Sequence, residues 1–104
     1  MTDRAEIVGT IAQYSKHGWS LRRVLLSTPI DDSIDGVAVE NSSFDGLWFT
    51  RVSSPGTETW ELRRLGGSPY ALVTVISDDD DDIVRNEALG ELEKKMLSTV
   101  RRGN

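Results

Sequence analysis

The sequence predicts an α+β domain: a two-layer sandwich with an antiparallel sheet of three to four strands and two long helices on one face. The expected order is α-β-(short helical turn)-β-β-β-α. Three observations predict it. Apolar residues at helical spacing are confined to the two ends of the chain. Short β-branched and aromatic segments lie between them, separated by Pro55-Gly56 and Gly66-Gly67-Ser68-Pro69. No linker or repeat divides the 104 residues, so 1–104 reads as a single α+β domain of ordinary size.

The first segment reads as a helix. Thr2 is the expected N-cap, with Asp3 and Glu6 in the first turn, where the helix dipole favours negative charge. Ile7, Val8, Ile11, Ala12 and Ser15 form a stripe at helical spacing. Lys16 and His17 fall in the last turn, and Gly18 follows as a residue free to turn left-handed. Trp19 to Leu26 reads as a strand from its aromatic and β-branched content. Trp19, Leu21 and Leu25 are expected on one face, Val24 and Leu26 on the other. Thr28-Pro29 reads as the cap and first position of a helical turn over 29–34 that Gly36 ends. Val37-Ala38-Val39 fits a short edge strand, and 42–46 a loop.

Leu47 to Ser53, Thr57 to Leu65 and Tyr70 to Ser77 read as an antiparallel meander, because short connections favour hairpins. Pro55-Gly56 favours a type II turn, which matches hairpin twist poorly, so a wider loop is expected around Ser54 to Thr57. Asp78 to Asp82 leads into a second helix over roughly 82–102. Val84, Ala88, Leu89, Leu92, Met96 and Val100 line one face of it, and its cations gather at the C-terminal end. Gly90 inside it suggests close packing on the sheet.

A hairpin symmetric about Pro55-Gly56, without a bulge, sets Phe49 opposite Leu62, Arg51 opposite Trp60, Trp48 opposite Arg63 and Thr50 opposite Glu61. Leu47, Phe49, Trp60 and Leu62 then make the core face. Trp48, Thr50, Val52, Thr59, Glu61 and Arg63 make the second face, with Trp48 and Arg63 placed for a cation–π contact. Tyr70 to Ile76 is apolar on both sides, as in strands buried on both sides. Two helices cover one face only. The other is expected to meet the 37–46 segment, a second copy, or a partner or ligand. Trp48, Thr50, Glu61, Arg63 and Leu72 are therefore the candidate binding residues. Trp48 and Arg63 would be the anchors, since both residue types are enriched at hot spots.

The leading functional expectation is a small non-catalytic interaction or regulatory module that uses the open sheet face, as a homodimer or with a protein partner. The alternative is a ligand-binding or enzymatic domain with a pocket between the sheet and residues 37–46, lined by Asp45, Arg51 and Trp60. A third reading is single-stranded nucleic-acid binding through Trp48, Arg63 and Arg22, by aromatic stacking and cationic contact. The net charge of −5 opposes it. The order helix, three strands, helix resembles the topology of the double-stranded-RNA-binding domain. That family carries a lysine cluster near the start of its last helix, where this chain has Asp78 to Asp82.

Chemistry finds little footing. The chain has no cysteine, which excludes disulfides, thiolate metal sites and cysteine nucleophiles. Asp78 to Asp82 lacks the glycine and glutamate of a calcium-binding loop and reads as a turn and helix start, with Asp80, Asp81 or Asp82 as cap. His17 has no partner at a fixed spacing. Asp45, Glu58 and Glu61 have no element that sets their separation. No cofactor, phosphate-loop, hydrolase or zinc motif is present, so no cofactor, metal or catalytic residue is expected. No apolar run approaches the ~20 residues that span a bilayer. Met1 to Glu6 leads into no signal-like apolar stretch, so a cytoplasmic location is expected.

Overall fold

The computed structural model describes residues 3–28, 30–66 and 70–101. Its elements are α1 (Arg4–Lys16), β1 (Ser20–Leu26), β2 (Ser33–Ile34), β3 (Val37–Asn41), β4 (Gly46–Ser54), β5 (Thr57–Arg64), β6 (Ala71–Ser77) and α2 (Asp82–Arg101). The strands form one mixed six-stranded sheet in the order β2-β3-β1-β4-β5-β6. This corrects the expectation of three to four antiparallel strands under two helices on one face. β1 and β3 run parallel, and the helices lie on opposite faces. Ile7 and Ile11 of α1 pack with Val24, Leu26, Leu47 and Phe49. Leu89, Leu92 and Met96 of α2 pack with Leu25, Trp48, Trp60 and Leu62. Neighbouring strand residues point to opposite faces, so these clusters lie on opposite sides of one sheet. The extra strands also break the topological resemblance to the double-stranded-RNA-binding domain.

Val37-Ala38-Val39 is a strand as expected, and a turn adds β2 beside it. Asp35 has φ 52° and Gly36 φ 78°. Two consecutive left-handed residues define the tight turn whose twist suits a hairpin. It joins β2 to β3 with Ile34 opposite Val37. Residues 30–34 therefore hold no helical turn, and Pro29 lies outside the described residues. β3 is not an edge strand, because β2 flanks it on one side and β1 on the other.

Bulges re-sort the faces. Ser54 does pair with Thr57 across Pro55-Gly56, so the connection is a two-residue turn rather than a wider loop. A register shift between Val52 and Ser54 then makes Ser53 the extra residue. The pairs become Trp48–Leu62, Phe49–Glu61 and Thr50–Trp60. A one-residue slip moves every side chain to the other face relative to its partner strand. The expected face sets are therefore wrong: Trp48, Thr50, Trp60 and Leu62 share the α2 side, while Leu47, Phe49, Glu61 and Arg63 share the α1 side. In β1 a shift between Leu21 and Arg23 acts likewise. Trp19 and Leu21 join Val24 and Leu26 against α1, leaving Leu25 on the α2 side.

The helix ends follow local chemistry. Asp3 caps α1, its carboxylate accepting from the Glu6 amide at 2.8 Å; Thr2 lies outside the described residues. The expected stripe buries only Ile7 and Ile11, while Val8, Ala12 and Ser15 are exposed. Tyr14 completes the packed side by stacking on Phe49, with ring centroids 4.0 Å apart. Asp81 caps α2 by accepting from the Val84 amide at 2.9 Å. A Cβ at Gly90 would meet nothing within 4 Å, so this glycine is not required for close packing. β6 is not buried on both sides either. It is an edge strand whose alternate residues are exposed.

Candidate interaction surface

The β1–β4 half of the sheet is covered on both faces. In the β5–β6 half α2 covers one face, and on the other α1 reaches β5 only in part and leaves β6 open. On the α1 side of that second half, β5 projects Thr59, Glu61 and Arg63. β6 sets Val75, Val73 and Ala71 opposite them. Val73 is 52% exposed and Val75 59%. Thus a strip of valine side chains lies open beside a charged row.

The charged row is tied back to α1. The Tyr14 hydroxyl donates to the Glu61 carboxylate. Burial and that hydrogen bond push the Tyr14 pKa up to about 12, with Arg63 opposing. The Arg63 Nε is buried with no hydrogen-bond partner. A cavity of about 320 Å³ runs between α1 and β5 here, bordered by Ala5, Gly9, Thr10, Gln13, Tyr14 and Arg63.

The backbone of β6 defines a free edge. The Arg64 amide donates to the Tyr70 carbonyl and the Asp78 amide to the Gly56 carbonyl, each at 2.8 Å. Antiparallel pairing alternates, so these bonds fix the parity: Tyr70, Leu72, Thr74 and Ile76 turn their backbone groups toward β5. Ala71, Val73, Val75 and Ser77 turn theirs outward. Asp80 takes both groups of Ser77: its carboxylate accepts from the Ser77 amide, and its own amide donates to the Ser77 carbonyl, each at 3.0 Å. No described strand pairs with the outer side of β6. Ala71 to Ser77 contains no proline and no charge, the usual devices that protect an edge.

Of the expected binding residues, only Glu61 and Arg63 lie on the α1 side of this half. Trp48 is fully buried on the other side, where its indole N–H donates to Glu93 at 2.9 Å. It therefore cannot form the expected cation–π pair with Arg63. The observed contacts of that type are Arg22 with Trp60 and Arg51 with Trp19, at 5.4 and 4.7 Å. Thr50 is buried, and Leu72 is half-buried against the α2-side core. Sequence reasoning missed Val73 and Val75. The signal that could have found them is the last place of this strand in the meander, which makes it an edge with one open face.

Residues of the other readings are dispersed. Asp45 accepts from the Ser27 amide and hydroxyl at 2.8 and 2.9 Å. Arg51 stacks on Trp19 on the α1 side, while Trp60 belongs to the α2-side core. The three do not line a common pocket, and 37–41 is strand β3 rather than a cover. Arg22 and Arg63 also lie on opposite faces. His17 is the C-cap of α1, and its carbonyl accepts from Arg51 at 3.4 Å. Among the described residues, no group of three His, Asp or Glu side chains could hold a metal, and no helix is long and apolar enough to cross a membrane.

One polar cluster is structural. Arg23 donates to Glu40 of β3 from Nε and Nη2 at 2.9 and 2.8 Å, and to Glu93 of α2 from Nη1 at 3.0 Å. Glu93 also accepts from Trp48. The hydrogen bonds from Arg23 hold the Glu40 carboxyl below the usual carboxylate range. This network ties β3, β1, β4 and α2 together on the well-covered half.

No family model matches the chain, and neither does a curated protein or a solved structure.

Proposed function

We propose that this chain is a non-catalytic interaction module that binds a protein through the open α1-side face of β6 and its free edge. One observation carries the reading. Ala71, Val73 and Val75 offer outward backbone N–H and C=O groups, and two of the three carry large apolar side chains more than half exposed. A strand added at such an edge gains main-chain hydrogen bonds, while alternate side chains give specificity. The Tyr14–Glu61 bond and the α1 wall beside it hold the neighbouring floor in one arrangement. Neither valine belongs to the two core clusters, so core packing does not account for their apolar character.

A photo-crosslinking residue at Val73, with another at exposed Glu87 of α2 as control, tests this in cells that make the protein. Protein adducts are expected from position 73 and not from 87. A position 73 that yields no adduct would contradict the proposal.

A further inference from the structure

We infer that the occupant of this edge is β6 of a second copy of the chain, paired antiparallel about Val73 so that two six-stranded sheets become one. The inference rests on the reading of the β6 edge as an interaction surface and names its partner.

The edge is most complementary to itself in one register. Pairing about Val73 sets Val73 against Val73 of the second copy, and Ala71 against Val75 twice over. All three residues present outward groups, so each pair exchanges two hydrogen bonds. Centring on Thr74 would bring Ala71 against Ser77, whose groups Asp80 already holds. Centring on Leu72 would leave Val75 beyond the end of the other copy's strand and keep only the two Ala71–Val73 pairs. Registers offset the other way would oppose outward groups with inward ones. The side chains agree with the backbone: Val73 meets Val73 as a cross-strand β-branched pair on the α1 side, and each Val75 lies against an Ala71.

Charge favours the same arrangement. Arg63 and Arg64 lie opposite Ala71 and Tyr70, at one end of β6. The acidic turn from Asp78 to Asp82 leaves the other end. Antiparallel pairing carries each acidic turn past the arginine end of the other copy, about two strand spacings of ~4.8 Å away. Opposite charges then face each other twice across the two-fold axis, the symmetry commonest among oligomers. A parallel arrangement would bring the two acidic turns together.

Sedimentation velocity of the full chain across the micromolar range tests this. A monomer–dimer equilibrium is expected. Val73→Pro removes an N–H that points outward and leaves the ladder to β5 intact. It should raise the dissociation constant at least about tenfold, or about 1.4 kcal/mol. Val73→Lys keeps the N–H and sets like charges together at the two-fold; it should weaken the dimer while the thermal transition is retained, and it carries the test if the proline variant fails to fold. A wild type that stays monomeric at every concentration overturns the inference. So does a dimer that neither substitution weakens. A monomeric chain whose position-73 adducts contain a different protein would end the inference but keep the interaction reading. Absence of any adduct, with a monomeric chain, would end both.

Discussion

Along Leu47, Trp48 and Phe49 of β4, successive side chains point to opposite faces of the sheet and all three are 0% exposed. Two strands away, Val73 and Val75 of β6 are 52% and 59% exposed. Both segments are apolar and β-prone, so composition does not separate them. The supply of helices does. Six strands at about 4.8 Å spacing make a sheet roughly 25 Å wide, while one helix is about 10–12 Å across. With one helix per face, each can cover only part of its side. α1 covers β1 and β4, α2 reaches β5 and β6, and the two overlap on the middle of the sheet. The α1 side of β6 is left without a cover.

If this contrast is right, equal insults to the two halves should have unequal effects. The largest is expected at Trp48→Ala, which empties a fully buried site and removes a donor from Glu93. It should cost about 3–5 kcal/mol in a denaturant titration. Glu93→Ala should cost about 1–3 kcal/mol, because it strips the Trp48 indole and one arm of Arg23 of their acceptor.

Tyr14 marks the border between the halves, and its effect depends on pH. Its pKa is raised from 10.0 to about 12, so the folded chain keeps a proton that the unfolded chain releases. The stabilisation is therefore fully present below pH 10 and is lost as pH rises toward about 12. Tyr14→Phe should keep the stacking on Phe49 and flatten the stability curve across that window. Tyrosinate absorbance should lose its late step at the same time. Gly90→Ala should stabilise by about 1 kcal/mol, since the helix gains propensity and meets no obstacle. The smallest effect is expected at Val73→Thr, within about 0.5 kcal/mol. A loss at Val73 as large as that at Trp48 would erase the distinction between the halves.

The terminal helices and the three-strand meander could be read from the sequence because caps, periodicity and turn residues lie close together along the chain. The site could be read only in part. Glu61 and Arg63 lie beside the exposed valines but on the α1 side, with Glu61 bonded to Tyr14, whereas Trp48, Thr50 and Leu72 face α2. The difference is one residue, Ser53, whose bulge shifts β4 against β5. The turn at Pro55-Gly56 has the expected symmetry, so nothing in its composition announces the slip. Arg22 and Arg23 conceal a second bulge in the same way. The β2–β3 hairpin runs against the expected helical turn: Thr28-Pro29 has the form of a helix start, while Asp35-Gly36 carries the hairpin signal. Which face each helix covers depends on long-range packing, and local pattern carries no such information.

Amide hydrogen exchange along β6, followed at several concentrations, tests the central claim most directly. Leu72 and Thr74, bonded to β5, should exchange slowly at all dilutions. Ala71, Val73 and Val75 should exchange fast in dilute solution and become protected together as concentration rises. Outward amides as protected as the inward ones at high dilution would mean that the chain covers its own edge. Outward amides that stay fast at every concentration would mean that no second copy pairs there.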